Sequence, residues 1–334
     1  MQHWFGSDGE SVVGYVTSGS TRVVAGAPVC TEKKLPDVAG EFEQWCGRDG
    51  KTVCYFGAEA RLGGVYKGSP QHSRVLLGAQ PVWHPKQWII NTEQRKSIRA
   101  QLARARNKGV QVSEWTTERA SRNLDLQECL NSWLSLKGLP PLHFVVEPDT
   151  LGRLDNRRVF VATCHGRVQA FLVLSPIPTR EGWLTEQFPH RPGAPNGTVE
   201  LMIDSAVRKI ASEGGKYVTL GLSPLSRRAK IEPFDNPLWL RVVLGWMRRH
   251  GTRFYNFEGL DYFKSKLMPA EWEPVYAISN QPTFTRGTML AIAAAFTENR
   301  PFRTLGLGIL RAVKQEIETV RGQFARSTGS NAHT

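Results

Sequence analysis

Carboxylates placed at helix starts are the side chains of this sequence with the most evident capacity for chemistry. Glu200 stands early in an expected helix opened by Asn196-Gly197. A helix N-terminus favours negative charge, so a carboxylate there can hold a cationic group or accept a proton. Glu258 and Asp261 lie on or near the start of a second expected helix and offer the same two uses. His143, in Leu139-Pro140-Pro141-Leu142-His143-Phe144, is a candidate base because an unperturbed imidazole has a pKa close to neutral; the commoner role of such a lone histidine is hydrogen-bonded structure. Ser223 and Ser226 flank Pro224-Leu225 at a strand end, where they can line a cleft. There is no Gly-x-Ser-x-Gly nucleophile elbow. The five cysteines (Cys30, Cys46, Cys54, Cys129, Cys164) are scattered and never spaced Cys-x-x-Cys, and the eight histidines do not cluster at ligand spacing. The expectation is no metal site and no disulfide framework.

Positive charge is the second resource. The 334 residues include 43 Lys and Arg against 30 Asp and Glu, a formal net charge of +13. Such an excess commonly meets a polyanion, either nucleic acid or an anionic membrane surface. It is also concentrated, with nine Lys/Arg and three Glu between Lys86 and Arg122. Residues 93–108, EQRKSIRAQLARARNK, read as a helix stopped by Gly109. Ile98, Leu102 and Ala105 form a narrow apolar stripe, and Arg95, Arg99 and Arg106 share another face. With Lys96, Arg104 and Lys108 they are the candidate contacts to RNA phosphates, which guanidinium groups grip in a bidentate way. A merely solvated helix face is the plain alternative.

The elements that must position these residues follow an order that repeats. Strands at Ser11–Val16 and Thr21–Val24 precede a helix at Leu35–Arg48, with Val38, Phe42, Trp45 and Cys46 on one face, and then a strand at Thr52–Phe56. Later, a hairpin of Arg158–Thr163 and Val168–Leu174 precedes a helix at Thr198–Glu213 and a strand at Tyr217–Leu220. A shared strand–strand–helix–strand order predicts a duplicated α/β unit, with a boundary in the Pro- and Asp-rich stretch 140–155 and a ligand cleft between the units. The expected division is 1–150, 151–280 and a helical tail, 281–334. In that tail Leu310, Val313, Ile317 and Val320 recur at helical spacing beside Arg311, Lys314 and Arg321. This suits either an interfacial membrane helix or one packed on its own domain. No apolar stretch is long enough to cross a bilayer, and the N-terminus does not read as a signal peptide.

Several segments together resemble the cytosolic catalytic domain of phosphatidylglycerol lysyltransferases, the aminoacyl-phosphatidylglycerol synthases. They are the helix QRKSIRAQLARARNKG, Ala194-Pro195-Asn196-Gly197-Thr198, Leu220-Gly221-Leu222-Ser223-Pro224-Leu225-Ser226, and Phe254 to Leu260 continuing through Phe263-Lys264-Ser265-Lys266 to Trp272-Glu273-Pro274-Val275-Tyr276. The similarity runs over roughly residues 1–280. It implies an α/β fold of two tandem GNAT-type acyltransferase units, with mixed sheets flanked by helices, here in a stand-alone form without the flippase that many members carry. Three positions depart from the family pattern: Asp261 stands where an Arg is usual, Glu200 where an Asp is common, and Leu267 where a Phe follows Lys-x-Lys.

The resemblance implies transfer of an amino acid, lysine or another, from aminoacyl-tRNA onto the hydroxyl of a membrane lipid such as phosphatidylglycerol. The donor ester is already activated, so neither ATP nor a redox cofactor is needed. The reaction requires placement, a base and oxyanion donors. Glu200 then holds the amino group or acts as base, and Glu258 and Asp261 can do the same. Asn196, Gly197 and Ser223 line the substrate site, and the resemblance makes Lys264 and Lys266 candidates for phosphate contact. The expected partners are aminoacyl-tRNA, an anionic lipid and a membrane surface met through the C-terminal amphipathic helices, at the inner face of the cytoplasmic membrane. Three rivals stand beside this reading: an acyl-CoA-dependent GNAT enzyme, a peptidoglycan-type aminoacyl transferase, and a non-catalytic RNA- or membrane-binding module. The CoA-type pattern Arg303-Thr304-Leu305-Gly306-Leu307-Gly308 has no strand before it and reads as chance.

Overall fold

The computed structural model describes residues 1–136, 144, 149–229, 236–250 and 257–297. A three-stranded meander opens the chain, β1 (Gln2–Phe5), β2 (Val12–Ser18) and β3 (Thr21–Ala25), followed by α1 (Leu35–Arg48) and β4 (Thr52–Ala58). Helix α2 (Ala60–Val65), β5 (Ser73–Trp83), α3 (Pro85–Gln94), α4 (Lys96–Asn107), β6 (Val110–Trp115), α5 (Thr117–Ser121) and α6 (Leu124–Ser135) come next. A second meander of β7 (Arg158–Cys164), β8 (Arg167–Ile177) and β9 (Gly182–Thr185) leads into α7 (Thr198–Ser212), β10 (Tyr217–Thr219) and the short β11 (Ser223–Pro224). The described chain ends with α8 (Leu238–His250), α9 (Phe257–Lys266), β12 (Glu271–Ser279) and α10 (Arg286–Phe296).

The strands form one mixed sheet in the order β1-β2-β3-β4-β12-β5-β10-β9-β8-β7-β6, with β11 paired to β5. Each half repeats one layout: an antiparallel meander, a crossover helix, and a return strand parallel to the last strand of the meander. In the first half β4 runs parallel to β3 after α1, and in the second β10 runs parallel to β9 after α7. This is the mixed α/β class that the sequence led us to expect. The halves exchange strands across the chain. Strand β12 lies between β4 and β5, and β6 closes the far edge beside β7. They join where β10 meets β5 through Val218 opposite Trp83 and Thr219 opposite Val82.

Both faces of each half are covered, because alternate residues of a strand point to opposite sides. On the first half, Val24, Val53 and Tyr55 pack under Leu35, Val38 and Phe42 of α1, while Val23, Cys54 and Ala277 pack under Leu240 of α8 and Ala291 and Ile292 of α10. On the second half, Leu172 and Leu174 meet Leu102 of α4 and Leu201 and Met202 of α7, and Val161, Phe171 and Val173 meet Leu126 and Leu130 of α6. No described helix is long and apolar enough to cross a membrane.

The expected helix over 93–108 is in fact two helices. Arg95 is extended (φ −90°, ψ 104°) and ends α3 before α4 begins. The break lets two separate apolar stripes reach the same core, Trp88 from α3 and Ile98, Leu102 and Ala105 from α4. Of the helical tail, only α10 falls in the described residues. The segment 310–320 and the pattern 303–308 lie outside them.

Candidate active site

The start of α7 is built by Pro195-Asn196-Gly197-Thr198. Gly197 adopts φ 92°, a conformation that side-chain-bearing residues rarely take. The backbone of α4 also presses on it: a Cβ at Gly197 would lie 2.4 Å from the Gln101 carbonyl oxygen. Thr198 Oγ1 donates to the Pro195 carbonyl at 2.6 Å, and no side chain caps the helix. The uncapped first turn faces a cavity of about 480 Å³ lined by Gln101 and Arg104 of α4, His190 and Arg191, and residues 192–200. The first-turn amides and the helix dipole make such an end attractive to anions, and Arg104 adds a full positive charge.

Glu200 sits on this wall, and its Oε1 receives the Lys266 Nζ at 2.9 Å. Both side chains are largely buried, so α9 is tied at its last residue to the first turn of α7. Two residues earlier, Lys264 is only 2 % exposed, and its Nζ donates to the carbonyls of Gly221 (2.8 Å) and Leu222 (3.0 Å). Burial pushes its ammonium down to about 7, against the opposing attraction of Asp261. Asp261 Oδ2 accepts from Arg228 Nε at 2.6 Å, while its Oδ1 is buried without a hydrogen-bond partner. Ser223 is fully buried, with an Oγ that likewise has no partner, and Ser226 Oγ accepts from the Arg228 amide at 3.4 Å. Leu267 fills the apolar core.

The structure therefore brings Asn196, Gly197, Glu200 and Arg104 around one cavity, with Lys266 paired to Glu200, and groups Lys264 and Asp261 near the Gly221–Ser223 segment after β10. Glu258 is exposed in the first turn of α9. His143 lies outside the described residues. The six basic candidates of the Arg-rich segment are all exposed, but they do not share one face. Arg104 turns to the cavity, Arg106 approaches the buried Asp204 at 3.6 Å, and Arg99 donates to the Glu93 carbonyl. At 100° per residue the buried stripe of α4 separates Arg104 from Arg99 and Arg106.

Two polar networks escaped the sequence reading. Asp204, one turn beyond Glu200 on α7, is fully buried and accepts from Trp88 Nε1 at 2.9 Å and from Arg208 Nε at 3.0 Å. The signal was there: a carboxylate inside the apolar face of a helix, with an arginine four residues on. At the seam between the sheet halves, Glu273 of β12 accepts from Arg180 Nη1 (2.8 Å), Gln80 Nε2 (3.0 Å) and Tyr217 OH (3.2 Å). Burial alone would raise the Glu273 carboxyl, but the hydrogen bonds from Arg180 and Gln80 hold it below the usual range. Nothing local in the sequence marks this cluster, because its members come from four separate segments.

Comparison with known proteins follows this geometry. Residues 1–279 match the family described as phosphatidylglycerol lysyltransferase, C-terminal. The lysylphosphatidylglycerol biosynthesis bifunctional protein LysX of Mycolicibacterium gilvum is 23% identical over 286 residues, covering 82% of this chain and 25% of that protein. Its Mycobacterium tuberculosis counterpart is 23% identical over 304 residues. The chain thus spans about a quarter of the length of these curated relatives. Among solved structures, the C-terminal domain of a candidate lysylphosphatidylglycerol synthetase from Agrobacterium fabrum superimposes with a TM-score of 0.74 at 19% identity, over 89% of this chain and 90% of that one. L-PGS from Bacillus licheniformis gives 0.72 at 19% identity, over 88% and 87%.

Proposed function

The chain belongs to the phosphatidylglycerol lysyltransferase C-terminal family, and from that premise we propose that it is an aminoacyltransferase moving an amino acid from aminoacyl-tRNA to a lipid hydroxyl. The observation that carries this reading is Glu200 on the wall of a cavity that also holds the open start of α7 and Arg104, with Lys266 paired to it from α9. A carboxylate already neutralised by one ammonium can exchange it for another, so Glu200 receives the amino group of the aminoacyl ester as Lys266 swings aside. The open amides of α7 and the Arg104 guanidinium receive the phosphates that flank the tRNA 3′ end.

The lipid hydroxyl oxygen attacks the ester carbonyl, giving a tetrahedral oxyanion. That oxyanion collapses by expelling the ribose oxygen, and the proton lost by the lipid hydroxyl ends on the departing ribose. One ester replaces another, with no net redox change and no covalent enzyme intermediate. Preorganised donors and placement supply most of the acceleration in such a reaction. Lys266, once released from Glu200, joins Arg104 as a cation available to the oxyanion. Lys264 fixes the Gly221–Leu222 backbone and with it the segment that bears Ser223. Phosphatidylglycerol as acceptor and lysine as cargo are the assignments that the names of the relatives favour.

The test uses total tRNA charged separately with each labelled amino acid, the full chain and mixed lipid vesicles, followed by extraction and chromatography of the lipids. Label in the lipid that vanishes after RNase pretreatment is the expected result and names the amino acid. Label transferred from an acyl-CoA instead, or no transfer with any charged tRNA, overturns the reading.

A further inference from the structure

Between β9 and α7 the chain runs back along the sheet as Pro189-His190-Arg191-Pro192. The Phe171 amide donates to the Pro189 carbonyl at 3.0 Å and the Arg191 amide to the Gln169 carbonyl at 2.8 Å. These two bonds set His190 directly opposite Ala170 of β8. Side chains directly opposite one another in an antiparallel pair stand on the same face of the sheet. Ala170 is buried in the core under α4 and α7, so His190 stands on that face, and it lines the cavity that holds Glu200 and Arg104. Arg191, the next residue, must take the other face. It does: its guanidinium bonds Asp125 and Glu128 of α6. The His190 ring is also held in one sense, with Nδ1 at 3.1 Å from the Phe188 carbonyl oxygen. A carbonyl oxygen only accepts, so Nδ1 carries the proton, and in the neutral ring Nε2 keeps its lone pair. Among the described residues none bonds Nε2.

We infer that His190 is the general base and acid of the transfer. This deepens the aminoacyl-transfer reading and rests on it, supplying the carrier for the proton that must pass from the lipid hydroxyl to the ribose. The other titratable side chains on the cavity wall are committed or unsuited. Glu200 is paired with Lys266 and receives the amino group, and Arg104 and Arg191 are guanidinium groups, which do not give up a proton. As the lipid oxygen bonds the ester carbon, its O–H bond breaks and the proton passes to Nε2 of His190. Collapse of the oxyanion re-forms the carbonyl and breaks the bond to the ribose oxygen, which takes the proton back from Nε2. The ring ends as it began, so the cycle consumes no proton. Anchoring Nδ1 on a main-chain carbonyl selects the tautomer and stops the ring from turning, as an orienting acceptor does for any imidazole that moves protons.

Single-turnover transfer to phosphatidylglycerol vesicles and equilibrium binding of charged tRNA are measured for the full chain, H190A and H190N, with the charged tRNA that the wild-type chain accepts. Asparagine keeps a donor for the Phe188 carbonyl but offers no base. Both variants should lower the transfer rate by about a hundredfold or more, the usual worth of a placed acid–base group, with tRNA affinity and melting temperature unchanged. A wild-type rate in H190N overturns the proposal and makes His190 an anchor of its loop, and H190N decides the matter even where H190A does not fold. Weaker tRNA binding with an undiminished rate at saturating tRNA also overturns it, making His190 a binding contact. The wild-type chain tells the two failures apart. Transfer by wild type that survives in both variants sinks this inference alone, whereas no transfer by wild type from any charged tRNA sinks the aminoacyl-transfer reading and this inference with it.

Discussion

Helices α1 and α7 hold the same place in the two halves of the sheet, each the crossover from a meander to a parallel return strand, yet only the first turn of α7 faces a cavity. Neither start has a capping side chain, but that of α1 is continuous with the 3-10 turn Glu32–Lys34. Pro36 removes an amide donor from its first turn, and the preceding Lys34 is held by Asp8 and Glu10 at 2.9 and 3.0 Å. The start of α7 is open: Gly197 leaves the amides uncapped, Glu200 is tied to a lysine from another helix, and the turn faces a cavity. One scaffold used twice carries candidate chemistry at α7, where an uncapped first turn faces a cavity. Layout sets where a site can be, and the residues of one helix turn set whether it is one.

The sharpest break in the comparison is at the first-turn carboxylates. Glu200→Gln should lower transfer by about a hundredfold to a thousandfold, the usual cost of losing one well-placed polar group in a site, and should also lower stability because Lys266 loses its largely buried partner. Asp37→Asn on α1 should leave transfer at the wild-type rate. Single-turnover transfer rates for both variants check this, and equal rates for the two would erase the distinction between the helices.

Glycines sharpen it next. Gly197→Ala forces a side chain into a positive-φ position against the α4 backbone and should cost about 2–3 kcal/mol. Gly40→Ala lies within α1, where a Cβ meets nothing within 4 Å, and should be neutral or add up to about 1 kcal/mol. Urea unfolding of each variant reads both signs.

The gentlest effect, taken per unit of pH, is a slope in stability. The Lys264 ammonium is lowered from 10.5 to about 7 by burial in the folded chain. Between those values the unfolded chain holds more protons than the folded one, so this residue makes stability rise with pH from about 7 towards 10.5, by at most about 1.4 kcal/mol per unit. Lys264→Met should remove that rise. An unaltered slope in urea titrations at pH 7, 8 and 9 would show that Lys264 is not the titrating group.

Much of the local structure was legible. The helix at Leu35–Arg48 is found with the expected bounds, and Ile98, Leu102 and Ala105 are all buried as their spacing required. The repeated strand–strand–helix–strand order is present in both halves. The break at Arg95 was not legible, because residues 93–108 keep helical propensity throughout and only the competition of two helices for one core turns the chain there. The candidate site was legible in part. Asn196-Gly197 before Glu200 announced a helix start, whereas nothing near Lys264 announced that its charge is directed at two main-chain carbonyls.

The sequence by itself determined the elements, their order and the excess of positive charge, because periodicity and composition are properties of neighbouring residues. Tertiary structure decided which charges are used inside the molecule and which remain for a partner. Arg106 approaches Asp204, Lys264 holds Gly221 and Leu222, and Lys266 meets Glu200 across 66 residues of chain. Arg104 is left facing the cavity. The reason is physical: pairing and desolvation act over a few ångströms in space, and the distances that set them exist only after α4, α7 and α9 have packed on one sheet.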